Sequence, residues 1–356
     1  MKKNIILLRT IAILLVVIGH ITFVFTGSWV FKMPENPSIV IILCKLIYTF
    51  HMPVFISISG YLFYYTIIEK NSNILLKEYI IKKLKRLIIP FCTVLILWVI
   101  PIKILAGYYK VLGYDSLNEI ILFIIKELDF GHLWYLPVLF ILDILMFIFY
   151  KKIEHMLYTN NILKNTFVCI LALMSIFYYL SDRIYIYIYI YIIGKILKLA
   201  FFYYIGYLIR RKESTGENIY KYNLFFIMLS IDLISIVFKG YISSKIIFTK
   251  FFTDFLVFAL NFVVGLVSLY ILYSIAHRFE RLAELKIVKF INNKSMDIYL
   301  FHEPIIYIVI ICFNNYSISS PYLFLIISGS LCIGISILIA QIVRKLNLGI
   351  LIGDKK

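Results

Sequence analysis

Ten residues separate Arg9 from His20 in the first apolar stretch of the chain, Leu8-Arg9-Thr10-Ile11-Ala12-Ile13-Leu14-Leu15-Val16-Val17-Ile18-Gly19-His20. A guanidinium holds an anion or polarises a carbonyl, and a neutral imidazole, with a reference pKa near ~6.5, takes up a proton close to physiological pH. Both are expensive to bury in lipid, so inside a membrane segment they are functional candidates by default. On one helix they stand ~16 Å apart along the axis, a separation that can join two compartments. Each also has a plainer reading. Arg9 is near enough to the N-terminus to snorkel to lipid phosphates, and His20 can hydrogen-bond a carbonyl between helices.

Further groups of this kind recur along the chain. His302 stands beside Glu303 and ahead of Pro304, which locally frees backbone carbonyls. Asp143, Asp232 and Asn261 are predicted inside apolar spans, and any of them can orient an imidazole. Ser59-Gly60 favours close helix packing over nucleophilic chemistry. Several familiar catalytic patterns are missing: Gly-x-Ser-x-Gly, a phosphate-cradling glycine loop ending in Lys-Ser or Lys-Thr, and His-Glu-x-x-His. No histidine has an aspartate five positions on. The five cysteines lie in apolar segments without Cys-x-x-Cys spacing, so neither a metal site nor a disulfide framework is implied.

The elements that must position these groups follow from composition. Of 356 residues 62% are hydrophobic and only 15% charged, with a mean hydropathy of +0.95. A water-soluble core could not hide so much apolar surface. Apolar windows of ~20 residues recur at 5–26, 39–65, 86–106, 133–150, 162–180, 190–209, 222–240, 251–276, 296–313 and 322–343. The expected fold is therefore all-α, a polytopic membrane bundle of about ten helices, organised as a single integral-membrane domain over 1–356 with no fused soluble domain. The first helix is expected to be a retained span and not a cleaved signal.

A net charge of +17 could point to nucleic acid, but the basic residues alternate by loop and form no single patch. Lys2 and Lys3, the run Lys77 to Arg86, Lys151 and Lys152, Arg210 to Lys212, Arg278 to Lys294, and Arg344 with Lys345 fall in alternate connections. By the positive-inside rule both termini are expected in the cytoplasm, which requires an even number of spans. In Ile184 to Ile192 tyrosine alternates with isoleucine. An open strand edge is not viable in lipid, so a helix start with interfacial tyrosines is expected there.

Taken in order, the motifs resemble the acyltransferase-3 family of integral-membrane enzymes, which O-acylate cell-surface polysaccharides and lipopolysaccharides. Arg9-x10-His20 is similar to the family's arginine-x10-histidine signature. Phe50-His51-Met52-Pro53-Val54-Phe55-Ile56-Ser57-Ile58-Ser59-Gly60-Tyr61 resembles its apolar run ending Ser-Gly-aromatic. Lys83-Leu84-Lys85-Arg86-Leu87-Ile88-Ile89-Pro90 resembles its basic pair and proline, with Lys83 standing where arginine is usual. His132-Leu133-Trp134-Tyr135-Leu136 resembles the aromatic entry to helix four, and Ile298 to Pro304 the late Tyr-Leu-x-His-x-Pro element.

The resemblance implies an acyl transfer with His20 and Arg9 as the catalytic pair. His20 is then the general base, and burial favours the neutral form that a base requires. Lys83, Arg86 and His302 are implied in donor binding, and Trp134 and Tyr135, placed at an outer helix entry, in acceptor binding. The implied donor is acyl-CoA, acetyl-CoA first among the choices, used as a substrate with no permanently bound cofactor. The implied partners are a glycan or lipid-linked sugar, membrane lipids and glycan-synthesis proteins, and the expected location is the bacterial cytoplasmic membrane. Two rivals remain open at this stage: a polysaccharide exporter or flippase, which often shows broken helices in two repeated halves, and a non-catalytic subunit of a glycan synthase.

Overall fold

The computed structural model describes residues 2–159, 188–217 and 250–354 apart from 28, 32, 34, 71 and 72, together with 166, 169–173, 219–220, 226–228, 230–231 and 234. Among the described residues it is helical. The long helices are α1 (Lys3–Phe23), α2 (Ser38–Phe63), α8 (Tyr135–Thr159), α9 (Ile188–Ser214), α10 (Lys250–Arg278), α11 (Lys286–Asn315) and α12 (Pro321–Lys345). Shorter helices α3 (Leu76–Lys83), α4 (Ile89–Val94) and α5 (Ile100–Leu105) follow one another end to end, and α6 (Tyr108–Val111) and α7 (Leu117–Glu127) come next. Seven helical segments among the described residues are long and apolar enough to cross a membrane. The expected spans 162–180 and 222–240, with Asp232, lie wholly or largely outside the described residues. The Tyr/Ile repeat is described only from Ile188, where α9 starts.

The segment Leu76–Leu105 is one apolar rod made of three helices joined by two wide turns, Leu84–Ile88 and Leu95–Val99. Each wide turn is followed two residues on by a proline, Pro90 or Pro101. A proline cannot donate to the preceding turn and its ring needs room there, so the backbone opens locally. Arg86 lies in the first opening and Trp98 in the second.

The stretch 107–131, between the expected spans 86–106 and 133–150, contains α7. Its start is fixed by a capping box, Ser116 with Glu119, and Ile120 and Ile124 lie buried on one face. The helix ends at Leu128, which takes a positive φ of 50°. Residues 128–134 then break the path before α8 begins at Tyr135.

The chain divides into two compact units, which are described separately. One comprises 1–8, 49–79 and 141–285. In it α2 and α9 approach closely at two glycines. A Cβ on Gly60 would lie 1.9 Å from the Tyr203 carbonyl oxygen, and one on Gly206 would lie 1.8 Å from that of Ser57. The Ser-Gly-Tyr run therefore serves helix packing. Beyond it, Arg210 pairs with Glu69 and with Glu213, at 3.1 Å from the latter. Glu213 also accepts from Tyr61 at 2.6 Å, Tyr220 at 2.7 Å and Lys2 at 2.9 Å. Asp143 accepts a hydrogen bond from Tyr203 at 2.7 Å.

The other unit comprises 9–48, 80–140 and 286–356. Here α11 and α12 pack along their length as a hairpin. Arg344 ties α12 to Asp297 at 2.6 Å and to Asp354 at 2.7 Å. The tail beyond α12 lies against α4, where Thr93 donates to the Leu351 carbonyl at 2.5 Å.

Candidate active site

Three histidines and a glutamate converge in this second unit from three parts of the sequence. His20 comes from α1, His132 from the short turn before α8, and His302 with Glu303 from α11. His20 Nδ1 lies 3.0 Å from His302 Nε2, with the rings stacked at a centroid distance of 5.0 Å. His302 Nδ1 sits 2.9 Å from the carbonyl oxygen of Tyr299 and 3.0 Å from that of Ile298. His302 is fully buried, whereas His20 is partly exposed. Of the two, only His20 can be reached by a substrate.

Pro304 explains why α11 can build this arrangement. Lacking an N–H, it leaves the Leu300 carbonyl without its helical donor. His132 Nε2 donates to that oxygen at 3.2 Å. The next carbonyl, of Phe301, accepts from Trp98 Nε1 at 3.1 Å, and that of His302 accepts from the Cys332 thiol at 3.3 Å. Backbone that would be costly in an apolar bundle is thus satisfied by side chains.

Glu303 receives three hydrogen bonds. Its Oε2 accepts from the His132 backbone N–H at 2.6 Å and lies 2.6 Å from His132 Nδ1, while its Oε1 accepts from the Tyr307 hydroxyl at 3.0 Å. Gly131 makes this approach possible. Its φ is +53°, and a Cβ there would lie 3.2 Å from Glu303 Oε2. Tyr299 completes the frame by donating to the His132 carbonyl at 2.5 Å. A half-ring of aromatics borders Tyr307: Trp29 at 4.8 Å, Tyr108 at 5.7 Å and Phe31 at 5.9 Å between ring centroids. Lys103, buried and bonded to Asp129 at 2.7 and 2.8 Å, stands 4.5 Å over the Tyr108 ring. Burial, helped by Asp129, raises the Tyr108 phenol above its ordinary range and keeps it a neutral hydrogen-bond donor.

Arg9 lies farther down α1, within electrostatic reach of Arg86 and Tyr135. Among the described residues neither arginine bonds a carboxylate. Arg86 is exposed and Lys83 partly so. His302, grouped from the sequence with donor binding, contacts His20. Trp134 is partly buried at the end of the turn Gly131–Trp134. Tyr135 is 3% exposed and 6.0 Å from the Tyr299 ring, so it is a core side chain. The carboxylate that meets the histidines is Glu303, and Asp143 is engaged with Tyr203.

The structural weight of His132, Glu303, Tyr307 and the Lys103–Asp129 pair was not recognised from the sequence. The available signals were a lone lysine in the apolar run 86–106 and a proline inside an apolar helix. Among the described residues no three His, Cys, Asp or Glu side chains are arranged to hold a metal ion.

A helical scaffold of membrane-length apolar segments that brings three imidazoles and a carboxylate together fits the class of a membrane-embedded group-transfer enzyme. The family model described as an acyltransferase domain matches residues 2–341, nearly the whole chain, and the protein belongs to that family, acyltransferase-3. No curated protein and no solved structure matches the chain.

Proposed function

We propose that this acyltransferase moves an acetyl group from acetyl-CoA, taken up at the cytoplasmic face, to a hydroxyl of an extracytoplasmic or lipid-linked glycan in the bacterial cytoplasmic membrane. The observation that carries the reading is the contact between His20 Nδ1 and His302 Nε2 at 3.0 Å, which aims a substrate-accessible imidazole from a fully buried one. In the reaction the acceptor oxygen attacks the thioester carbonyl while His20 removes its proton. The tetrahedral centre then collapses, the C–S bond breaks, and the thiolate of CoA takes the proton from His20. Arg9 and Arg86 supply positive charge for the donor's phosphates or for the oxygen that gains charge. Around this site we place ten spans with both termini in the cytoplasm, as the alternation of basic loops supports.

The test is mass analysis of surface glycans from cells carrying the full chain, its His20→Ala variant or neither. His20→Ala, inserted at normal abundance, is expected to cut acylation by at least ~10²-fold, the scale for losing a positioned general base. Acylation at the wild-type rate in that variant would move the chemistry away from His20. Loss of glycan export with no acylation in any cell would favour an exporter.

A further inference from the structure

The hydrogen bonds around His302 have a direction. Its Nδ1 faces only backbone carbonyls, those of Tyr299 and Ile298 at 2.9 and 3.0 Å, and a carbonyl oxygen can only accept. The proton of His302 therefore sits on Nδ1, and Nε2 carries the lone pair. At 3.0 Å from that lone pair, His20 Nδ1 must be the donor. The lone pair of His20 is then on Nε2, the nitrogen that points away from His302.

The neighbouring pair keeps this arrangement from inverting. Both ring nitrogens of His132 face acceptors, Nε2 the Leu300 carbonyl and Nδ1 the Glu303 carboxylate. Two donors, the His132 backbone N–H and the Tyr307 hydroxyl, hold Glu303 as a carboxylate, and with that carboxylate at Nδ1 and a carbonyl at Nε2 both ring nitrogens of His132 are donors, as in an imidazolium. The His132 ring is 4.7 Å from that of His302 between centroids. A second proton on His302 would place two cations in contact inside a buried cluster, so the positive charge on His132 keeps His302 neutral.

We infer that His302 is a positioning residue that fixes His20 as its Nδ1–H tautomer, with Nε2 as the proton-accepting atom, and that the His132–Glu303 ion pair holds His302 in the neutral form this requires. The inference rests on the reading of His20 as the base and adds which nitrogen does the work and what selects it. It also changes the part given to His302, from donor binding to the orientation of the base. An imidazole oriented through its second nitrogen is a recurrent solution where one tautomer alone is productive.

Nitrogen-15 NMR of the full chain in lipid nanodiscs, labelled at histidine, reads the tautomers directly. With resonances assigned by loss in His20→Gln and His302→Gln, His20 and His302 are expected to carry protons on Nδ1 alone, and His132 on both nitrogens. A proton on Nε2 of His20 would overturn the inference. The functional arm compares His302→Leu, which removes the acceptor, with His302→Gln, whose amide oxygen can restore it. His302→Leu should lower glycan acylation by at least ~10²-fold while acetyl-CoA affinity stays within about twofold, and His302→Gln should recover at least about a tenth of the wild-type rate. If His302→Leu fails to insert, the tautomers of the wild-type chain still decide. A fully active His302→Leu chain beside an inactive His20→Ala one sinks the inference and leaves the base reading intact; an active His20→Ala chain sinks the base reading itself.

Discussion

Glu303 and His132, 171 residues apart in sequence, meet twice at a single oxygen: the backbone N–H and the ring Nδ1 of His132 both reach Glu303 Oε2 at 2.6 Å. The contact fastens the break between α7 and α8 to the proline-interrupted α11. Breaking a buried pair from one side leaves an uncompensated charge, at a cost of about 3–5 kcal/mol. Glu303→Ala and His132→Ala should each lower the yield of folded protein and its thermal midpoint in detergent. The double variant should lose less than the sum of the two, with a coupling of about 1–3 kcal/mol. Strict additivity in thermal unfolding would show that the pair does not act as a unit.

The arginine couple predicts a separation of kinetic effects. Arg86→Ala should raise the KM for acetyl-CoA more than it lowers kcat, because an exposed charge contacts the donor alike in the ground and transition states. Lys83→Arg should be tolerated. Arg9 shares α1 with His20, and Arg9→Ala should lower kcat by about 10-fold or more. Arg9→Lys will be milder if charge alone matters and equally severe if a planar fork is needed. Unchanged acetyl-CoA binding in an Arg9→Ala, Arg86→Ala chain would remove both from the donor site.

The glycine contacts between α2 and α9 are stringent. A Cβ at Gly206 would fall 1.8 Å from backbone oxygen, which no rotamer change relieves. Gly206→Val should destabilise the chain by about 1–3 kcal/mol or more, read as reduced membrane abundance and a lower thermal midpoint. Gly334→Ala in α12, where a Cβ meets nothing within 4 Å, is the control and should be neutral.

Glu213 links stability to pH. Burial opposes its ionisation, but hydrogen bonds from Tyr220, Tyr61 and Lys2 outweigh that and hold its carboxyl below the ordinary glutamate range. A carboxylate depressed in the folded state contributes stability that is full above its unfolded pKa and is lost as pH falls through the folded one. Thermal midpoints of the wild type should therefore fall on acidification below the ordinary carboxylate range. Glu213→Gln should start lower at neutral pH and show a smaller acid loss. Parallel curves for the two chains would remove Glu213 from the linkage.

Gly353 packs against the backbone of Arg86. Its φ is +82°, and a Cβ would lie 2.8 Å from the Arg86 carbonyl oxygen and 3.0 Å from the Pro90 ring. Gly353→Val should strain the tail and displace the backbone that carries Arg86. A rise in the KM for acetyl-CoA of about 3-fold or more, with normal abundance, is the expected sign.

The amino-acid sequence by itself determined the solvent in which this chain folds, its helical class, the family signature Arg9-x10-His20, and the candidacy of His302. These are legible because they depend on local quantities: apolar run length, the cost of a charge in lipid, and residue spacing along one helix. It also carried the two prolines of the 76–105 rod, though not the wide turns they produce. Only the tertiary structure decided which groups meet. Asp143, a candidate in the sequence to orient an imidazole, binds Tyr203, whereas Glu303, which was not among those candidates, meets His132. His302 Nε2 meets His20 Nδ1 across 282 residues of sequence, a contact that no local pattern contains. Tyr135, at the start of α8, is a buried side chain beside the Tyr299 ring, a neighbour from a distant part of the sequence. Pairings of this kind are set by long-range packing and by where the backbone leaves a carbonyl unsatisfied, as Pro304 does for Leu300, and neither is a property of any local stretch of sequence.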